Sequence, residues 1–205
     1  MRIRITFVKQ GALRYTGHLD LHRLWERAAR RAELPLAYSQ GFHPQPKMNM
    51  AAALPLGFSS RCEVLDLKLE HDIPLDTLAT RLNGTLPSGI QVLDVEQVDE
   101  RLPALQTQVA AAEYEVTLTE AVDGSELKRK VDSVMGSTSL PRERRGKTYD
   151  LRPLIEVLEL LPDDKIFMRL TAREGATGRP EEVLDALGIA FEETRIERTR
   201  LIFLE

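Results

Sequence analysis

Two successive runs of hydrophobic pattern in the order β-α-β-β-α-β predict an α+β protein of two tandem ferredoxin-like units, each an antiparallel sheet with its helices on one face. Three observations carry that reading. Each half opens on alternating apolar residues, an amphipathic helical run follows, and blocks of charge repeat in step with the elements. The 205 residues suit two small domains at about 100–200 residues per domain. The expected division is 1–104 and 105–205.

Ile3, Ile5 and Phe7 alternate with Arg2, Arg4 and Thr6, the period of a half-buried strand over 2–9. Over 18–32, Leu21, Leu24, Trp25, Ala28 and Ala32 recur at helical spacing, and Pro35 stops the run. Residues 36–40 and 47–53 read as short strand pieces around a Gly/Pro turn at 41–46, and 63–70 as a longer strand. A helix over 72–82 with Pro74 in its first turn precedes a strand over 90–98. Residues 99–111 read as a linker without an element of their own. The second half repeats the order: a strand at 114–118, a helix at 125–135 ended by Gly136, and a polar, basic stretch at 140–148. Strands follow at 154–161 and 165–172, then a helix at 180–187 ended by Gly188 and a last strand at 194–204.

Composition excludes several classes. Apolar residues are 42% and charged residues 29%, ordinary usage for a folded domain. No apolar stretch approaches the ~20 residues of a spanning helix, and the first residues lack a secretion signal's apolar core, so a cytoplasmic protein without a membrane segment is expected. One cysteine, Cys62, permits no internal disulfide, thiolate zinc site or cluster of its own. It reads as a small buried hydrophobe. No metal and no cofactor is expected.

The net charge of −4 conceals a strong segregation: +7 over 1–61, −11 over 62–126, +5 over 127–152 and −5 over 153–205. A folded chain can gather such blocks into one electropositive region that attracts a polyanion, or leave them as solvated helix faces. On the first helix, Arg23, Arg27 and Arg30 fall within about 60° of one another, with Arg31 beside them. Arg14 and Lys47 flank it, with Lys9. The second half holds Lys128, Arg129, Lys130, Arg142, Arg144, Arg145, Lys147 and Arg152. Tyr15, Tyr38, Phe42 and Tyr149 lie among these cations, where rings can stack on unpaired bases or simply join the core. The two basic blocks are therefore expected to bind RNA together. Arg152, in Asp150-Leu151-Arg152-Pro153, either holds a phosphate or pairs locally.

His18 and His22 share a helix face, but the acid of the metalloprotease motif and a third ligand are missing; the pair reads as capping or flanking residues. Tyr38, His43 and Lys47 surround the Gly/Pro turn and offer an acid or base plus a cation, the roles that metal-free RNA cleavage needs. The same turn reads equally as a rigid binding surface. Phe42 and Pro44, with Leu56 and Phe58 of the next turn, are the expected partner-binding residues.

At Gly17-His18-Leu19-Asp20, Trp25-Glu26-Arg27-Ala28, Leu34-Pro35-Leu36-Ala37-Tyr38-Ser39-Gln40-Gly41-Phe42-His43-Pro44, Leu54-Pro55-Leu56-Gly57 and Tyr149-Asp150-Leu151-Arg152-Pro153, the chain closely resembles the bacterial radical-SAM-linked protein family. That family is a domain of unknown function. The resemblance implies a companion cobalamin-binding radical S-adenosylmethionine protein and supplies no catalytic residues. The doubled order and residues 84–89 are also similar in outline to CRISPR repeat-RNA endoribonucleases, whose glycine loop there is richer. Three roles follow as expectations: an RNA-binding accessory module for the radical enzyme, a protein-interaction subunit without RNA, or a metal-independent endoribonuclease using His43.

Overall fold

The computed structural model describes residues 1–120, 122–144, 146–163 and 165–204. The protein is mixed α+β, with four α-helices among the described residues. The chain divides into two units, Met1–Gln108 and Val109–Glu205.

In the first unit, β1 (Arg2–Lys9), α1 (His18–Arg31), β2 (Met48–Met50), β3 (Ser59–Lys68), α2 (Leu78–Asn83) and β4 (Ile90–Val98) follow in order, with 3-10 turns at Gly11–Tyr15 and Leu105–Gln108. The strands lie β4-β1-β3-β2, each neighbouring pair antiparallel, with Ile5 opposite Leu65 on one side and Val95 on the other. Alternation places Ile3, Ile5 and Phe7 on one face, all fully buried. Leu21, Trp25 and Ala29 of α1 and Leu78 and Leu82 of α2 complete that core. Trp25 is its largest member, with its ring edge-on to Phe7 at 4.7 Å between centroids.

Arg2, Arg4 and Asp66 occupy the other face. Asp66, 3% exposed, accepts from Arg2 Nε and Nη2 at 2.9 and 2.6 Å, and from Arg4 Nε and Nη2 at 2.9 and 3.1 Å. Arg2 also donates to the carbonyls of Leu102 and Pro103 at 2.7 and 2.9 Å, which ties that segment to the sheet. A buried carboxylate between two guanidiniums satisfies charges that would otherwise be costly to desolvate.

The elements differ from expectation in three places. The second helix begins at Leu78 rather than near 72, after a turn closed by the Leu78 N–H on the Leu75 carbonyl. Residues 36–40 make only isolated bridges, Leu36 to Leu69 and Tyr38 to Pro46, and the strand after the turn is confined to Met48–Met50. Pro35, Pro44 and Pro46 have no N–H for a longer ladder. Residues 99–111 hold the second 3-10 turn and the start of the next strand, not a plain linker.

The second unit comprises β5 (Val109–Leu118), α3 (Gly124–Gly136), β6 (Pro141–Arg144), β7 (Lys147–Asp150), β8 (Ile155–Leu161), β9 (Lys165–Arg173), β10 (Ala176–Thr177), α4 (Pro180–Leu187) and β11 (Thr194–Phe203). The strands lie β8-β9-β5-β11, again antiparallel, with β10 added on β9. Ala111, Ala112, Glu113 and Tyr114 are all buried, so β5 lacks an alternating face there and begins at Val109 rather than at 114. Asp123 caps α3, accepting from the N–H groups of Ser125 and Glu126 at 2.8 and 3.2 Å. Gly188 ends α4 at φ +68°. In the basic stretch, β6 pairs antiparallel with β7, apart from the other strands.

Candidate nucleic-acid interface

Helix α1 carries Arg23, Arg27, Arg30 and Arg31. Its last turn closes through the N–H of Leu34 on the carbonyl of Ala29, with Glu33 at φ +54°, and Arg81 of α2 donates to the Ala32 carbonyl. The buried stripe of Leu21, Trp25, Ala28 and Ala29 leaves the arginines outside.

The structure sorts those arginines. Arg23, Arg27 and Arg31 line a cleft of about 550 Å³ whose other wall is Thr85, Leu86 and Pro87. Arg23 pairs loosely with Asp20 at 3.3 Å, both side chains about two-thirds exposed. Arg27 and Arg31 are exposed and have no ion pair among the described residues. Arg30 turns to the other flank, donating from Nε to the Tyr38 hydroxyl at 3.1 Å and pairing with Glu26 at 2.7 Å. The Tyr38 contact, then the Glu26 charge, hold its proton more firmly still. Arg14 donates to the Tyr15 hydroxyl at 2.8 Å, and its guanidinium carbon lies 4.8 Å from that ring's centroid. Lys9 is fully buried and donates to the Thr16 carbonyl at 3.0 Å, so it adds no surface charge.

The far wall is held by the fold. Thr85 Oγ1 donates to the carbonyls of Ala28 and Leu82 at 3.1 and 2.9 Å, and the N–H groups of Thr85 and Leu86 also reach Leu82. Gly89 sits just beyond at φ +97°, where an added Cβ would lie 2.6 Å from the Gln10 carbonyl oxygen. Only glycine fits this approach.

The second flank of α1 faces residues 45–48 across a cleft of about 390 Å³ lined by His18, His22 and Glu26. The two imidazoles meet edge to face at 4.8 Å. Burial, and then His18, push the pKa of His22 down. No cluster of three metal-ligating side chains occurs among the described residues.

The turn after α1 is closed by the N–H of Ser39 on the Gln45 carbonyl and that of Gln45 on Ser39 Oγ, at 2.8 and 2.9 Å. Phe42 stands fully exposed at its tip beside exposed His43 and Pro44. Lys47 is exposed at the foot, and no hydrogen bond or ion pair joins the side chains of Tyr38, His43 and Lys47. Leu56 is exposed, whereas Phe58 is fully buried and presents no surface. Cys62 is half-buried, 3.6 Å from Ser60 Oγ.

In the second unit, Lys128 and Lys130 pair along α3 with Asp132 and Glu126 at 3.6 and 3.3 Å, and Arg129 is exposed. Arg144, Lys147 and Tyr149 of the hairpin line a cleft of about 480 Å³ with Leu154 and residues 175–177. Arg145 lies outside the described residues. Arg142 pairs with Asp185 at 3.4 Å. Tyr149 donates to the Glu182 carboxylate, and burial followed by that bond pushes its pKa up to about 12. Arg152 is engaged inside the unit: Nε and Nη2 donate to the Met135 carbonyl at 3.2 and 2.8 Å, and Nη1 to that of Ile155 at 3.0 Å. Asp150 accepts from the N–H groups of Leu140 and Arg152, which hold its pKa below the usual carboxylate range.

Sequence reasoning found the α1 arginines but missed the Thr85–Leu86–Pro87 wall, the Asp66 clamp and the Arg81 cap. Pro87 and Gly89 mark a turn, but nothing local says that it lies against α1.

Solved structures similar to this chain include two complexes. One is a crystal structure of a Cbf5-Nop10-Gar1 complex, at 10% identity and TM-score 0.48, covering 97% of this chain and 48% of that one. The other is an archaeal box H/ACA sRNP Nop10-Cbf5 complex, at 14% identity and TM-score 0.47, covering 97% and 47%. This chain thus spans about half the length of the chains it matches. No curated protein matches it. The model of a family described as an uncharacterized protein conserved in bacteria (DUF2344) matches residues 2–180, and the chain belongs to that family.

Proposed function

We propose that the chain is an RNA-binding accessory module for a radical S-adenosylmethionine enzyme, built from two ferredoxin-like βαββαβ units. The strand orders β4-β1-β3-β2 and β8-β9-β5-β11 support the architecture. The partner follows from the sequence resemblance, and with one cysteine the cluster for radical chemistry must come from that partner. The observation that carries the RNA reading is the α1 cleft, where Arg27 and Arg31 are exposed without carboxylate partners and Arg23 is only loosely paired. Arg144 and Lys147 form a second, smaller cationic site. Phosphate contacts release counterions, so affinity must fall steeply with salt.

Filter binding of labelled small RNA at low salt tests this. Arg27→Glu with Arg31→Glu should lower retention by on the order of tenfold, and Arg144→Glu with Lys147→Glu should lower it less. Absence of retention by the unaltered protein overturns the reading.

The exposed Phe42 favours a second reading, a protein-interaction subunit. Residues 39–46 carry no Lys, Arg, Asp or Glu, and the turn is preorganised by its Ser39–Gln45 bonds. An aromatic anchor of this kind fits an apolar pocket on a protein partner. Co-purification with the radical enzyme that survives nuclease and is lost on Phe42→Ala supports this role; co-purification abolished by nuclease excludes it.

A further inference from the structure

We infer that the α1 cleft holds a single strand of RNA, with Arg23, Arg27 and Arg31 on successive phosphates and the Leu24, Leu86 and Pro87 surface against the sugars and bases. This rests on the RNA-binding reading above and narrows it to a strand type and a path.

Spacing is the first argument. Positions four apart on an α-helix rise about 6 Å and turn about 40°, so the three arginines climb one flank at the step of consecutive phosphates along an extended nucleotide backbone. One small anion could engage at most part of a row that spans about 12 Å of helix. Each guanidinium presents a planar fork that matches a phosphate.

The opposite wall is the second argument. Thr85, Leu86 and Pro87 bring neither cation nor acid, and the Thr85 hydroxyl is engaged with α1 itself. A duplex carries two rows of phosphates on a convex surface. A cleft of about 550 Å³ with cations on one side and apolar groups on the other would leave the second row unpaired. One strand satisfies both walls: phosphates on the arginines, sugars and bases on the apolar side.

Arg30 and Asp20 make the inference testable. Arg30 has the same charge on the same helix but faces Tyr38 and Glu26 on the other flank. Asp20 lines the cleft and pairs with Arg23, so it competes with the first phosphate.

The experiment is fluorescence anisotropy of the full chain with a labelled short oligouridine, alone and annealed to oligoadenosine, across a salt series. The single strand should bind more tightly than the duplex by on the order of tenfold. Each phosphate contact to a single strand contributes about 0.7 to the slope of log affinity against log salt. Arg27→Gln with Arg31→Gln should therefore flatten the slope by about 1.4. Arg30→Gln should leave it unchanged, and Asp20→Asn should strengthen binding. All four side chains are surface groups, and matching circular dichroism melts establish that the variants fold.

Duplex binding as tight as single-strand binding, or a slope the double variant does not flatten, overturns the inference while leaving RNA binding intact. Displacement of the oligouridine by polyglutamate at equal charge identifies the cleft as an acidic-peptide site and overturns it as well. If the unaltered protein binds neither RNA, the broader reading fails first and this inference with it.

Discussion

Replacing Asp66 by Ala should unfold the first unit more easily than any surface change. The substitution removes four hydrogen bonds, two from each of Arg2 and Arg4. It leaves Arg2 buried, with side-chain exposure of 6%. Taking one partner from a buried ion pair costs about 3–5 kcal/mol. The lower end applies here, because Arg2 keeps the Leu102 and Pro103 carbonyls and Arg4, 15% exposed, can regain some water. A loss of about 3 kcal/mol is a large share of a typical stability of about 5–15 kcal/mol. For a chain of this length it corresponds to about 6–12 °C in Tm. Urea unfolding followed by circular dichroism measures it, with Arg4→Ala and the double variant closing a cycle that isolates the coupling. A loss below about 1 kcal/mol would refute the argument that this carboxylate compensates the desolvated guanidiniums.

Other outcomes follow from the same geometry. Gly89→Ala should cost about 2 kcal/mol or more in thermal unfolding, since it combines φ +97° with a contact of 2.6 Å to the Gln10 carbonyl oxygen. Tyr149, raised from 10.0 to about 12, should ionise late in an ultraviolet titration, and Glu182→Gln should bring it down. Its folded pKa lies above the unfolded one, so its stabilising contribution is complete below pH 10.0 and is lost as pH rises from there to about 12. Incubating small RNA in EDTA should give the same products with the unaltered protein and His43→Ala, because no hydrogen bond or ion pair joins His43 to Tyr38 or Lys47; a cleavage product lost only in the variant would support the ribonuclease reading.

The order of elements was legible because most strands alternate apolar with polar residues. Ile3, Ile5 and Phe7 announce β1 by alternation alone, and Leu21, Trp25 and Ala28 announce α1 by helical spacing. Reading failed where that contrast is missing. Val109 to Tyr114 is buried on nearly every residue, so the strand shows no alternation before Tyr114 and its first three residues fall in the 99–111 linker reading; the 36–53 stretch lost its ladder to prolines.

Sequence alone determined that the basic residues cluster on α1 and the 140–148 stretch, and that one thiol can support no cluster. It offered Glu26 to Arg30 at the i, i+4 spacing, but it could not show that Tyr38 also takes Arg30 while Arg27 lines the cleft. Tertiary structure made that distinction, as it did in engaging Arg152 with Met135 and hiding Phe58. The physical reason is that a guanidinium's availability depends on which acceptors the fold brings within about 3 Å. The Tyr38 hydroxyl and the Met135 carbonyl come from chain positions that helical spacing does not connect to their arginines.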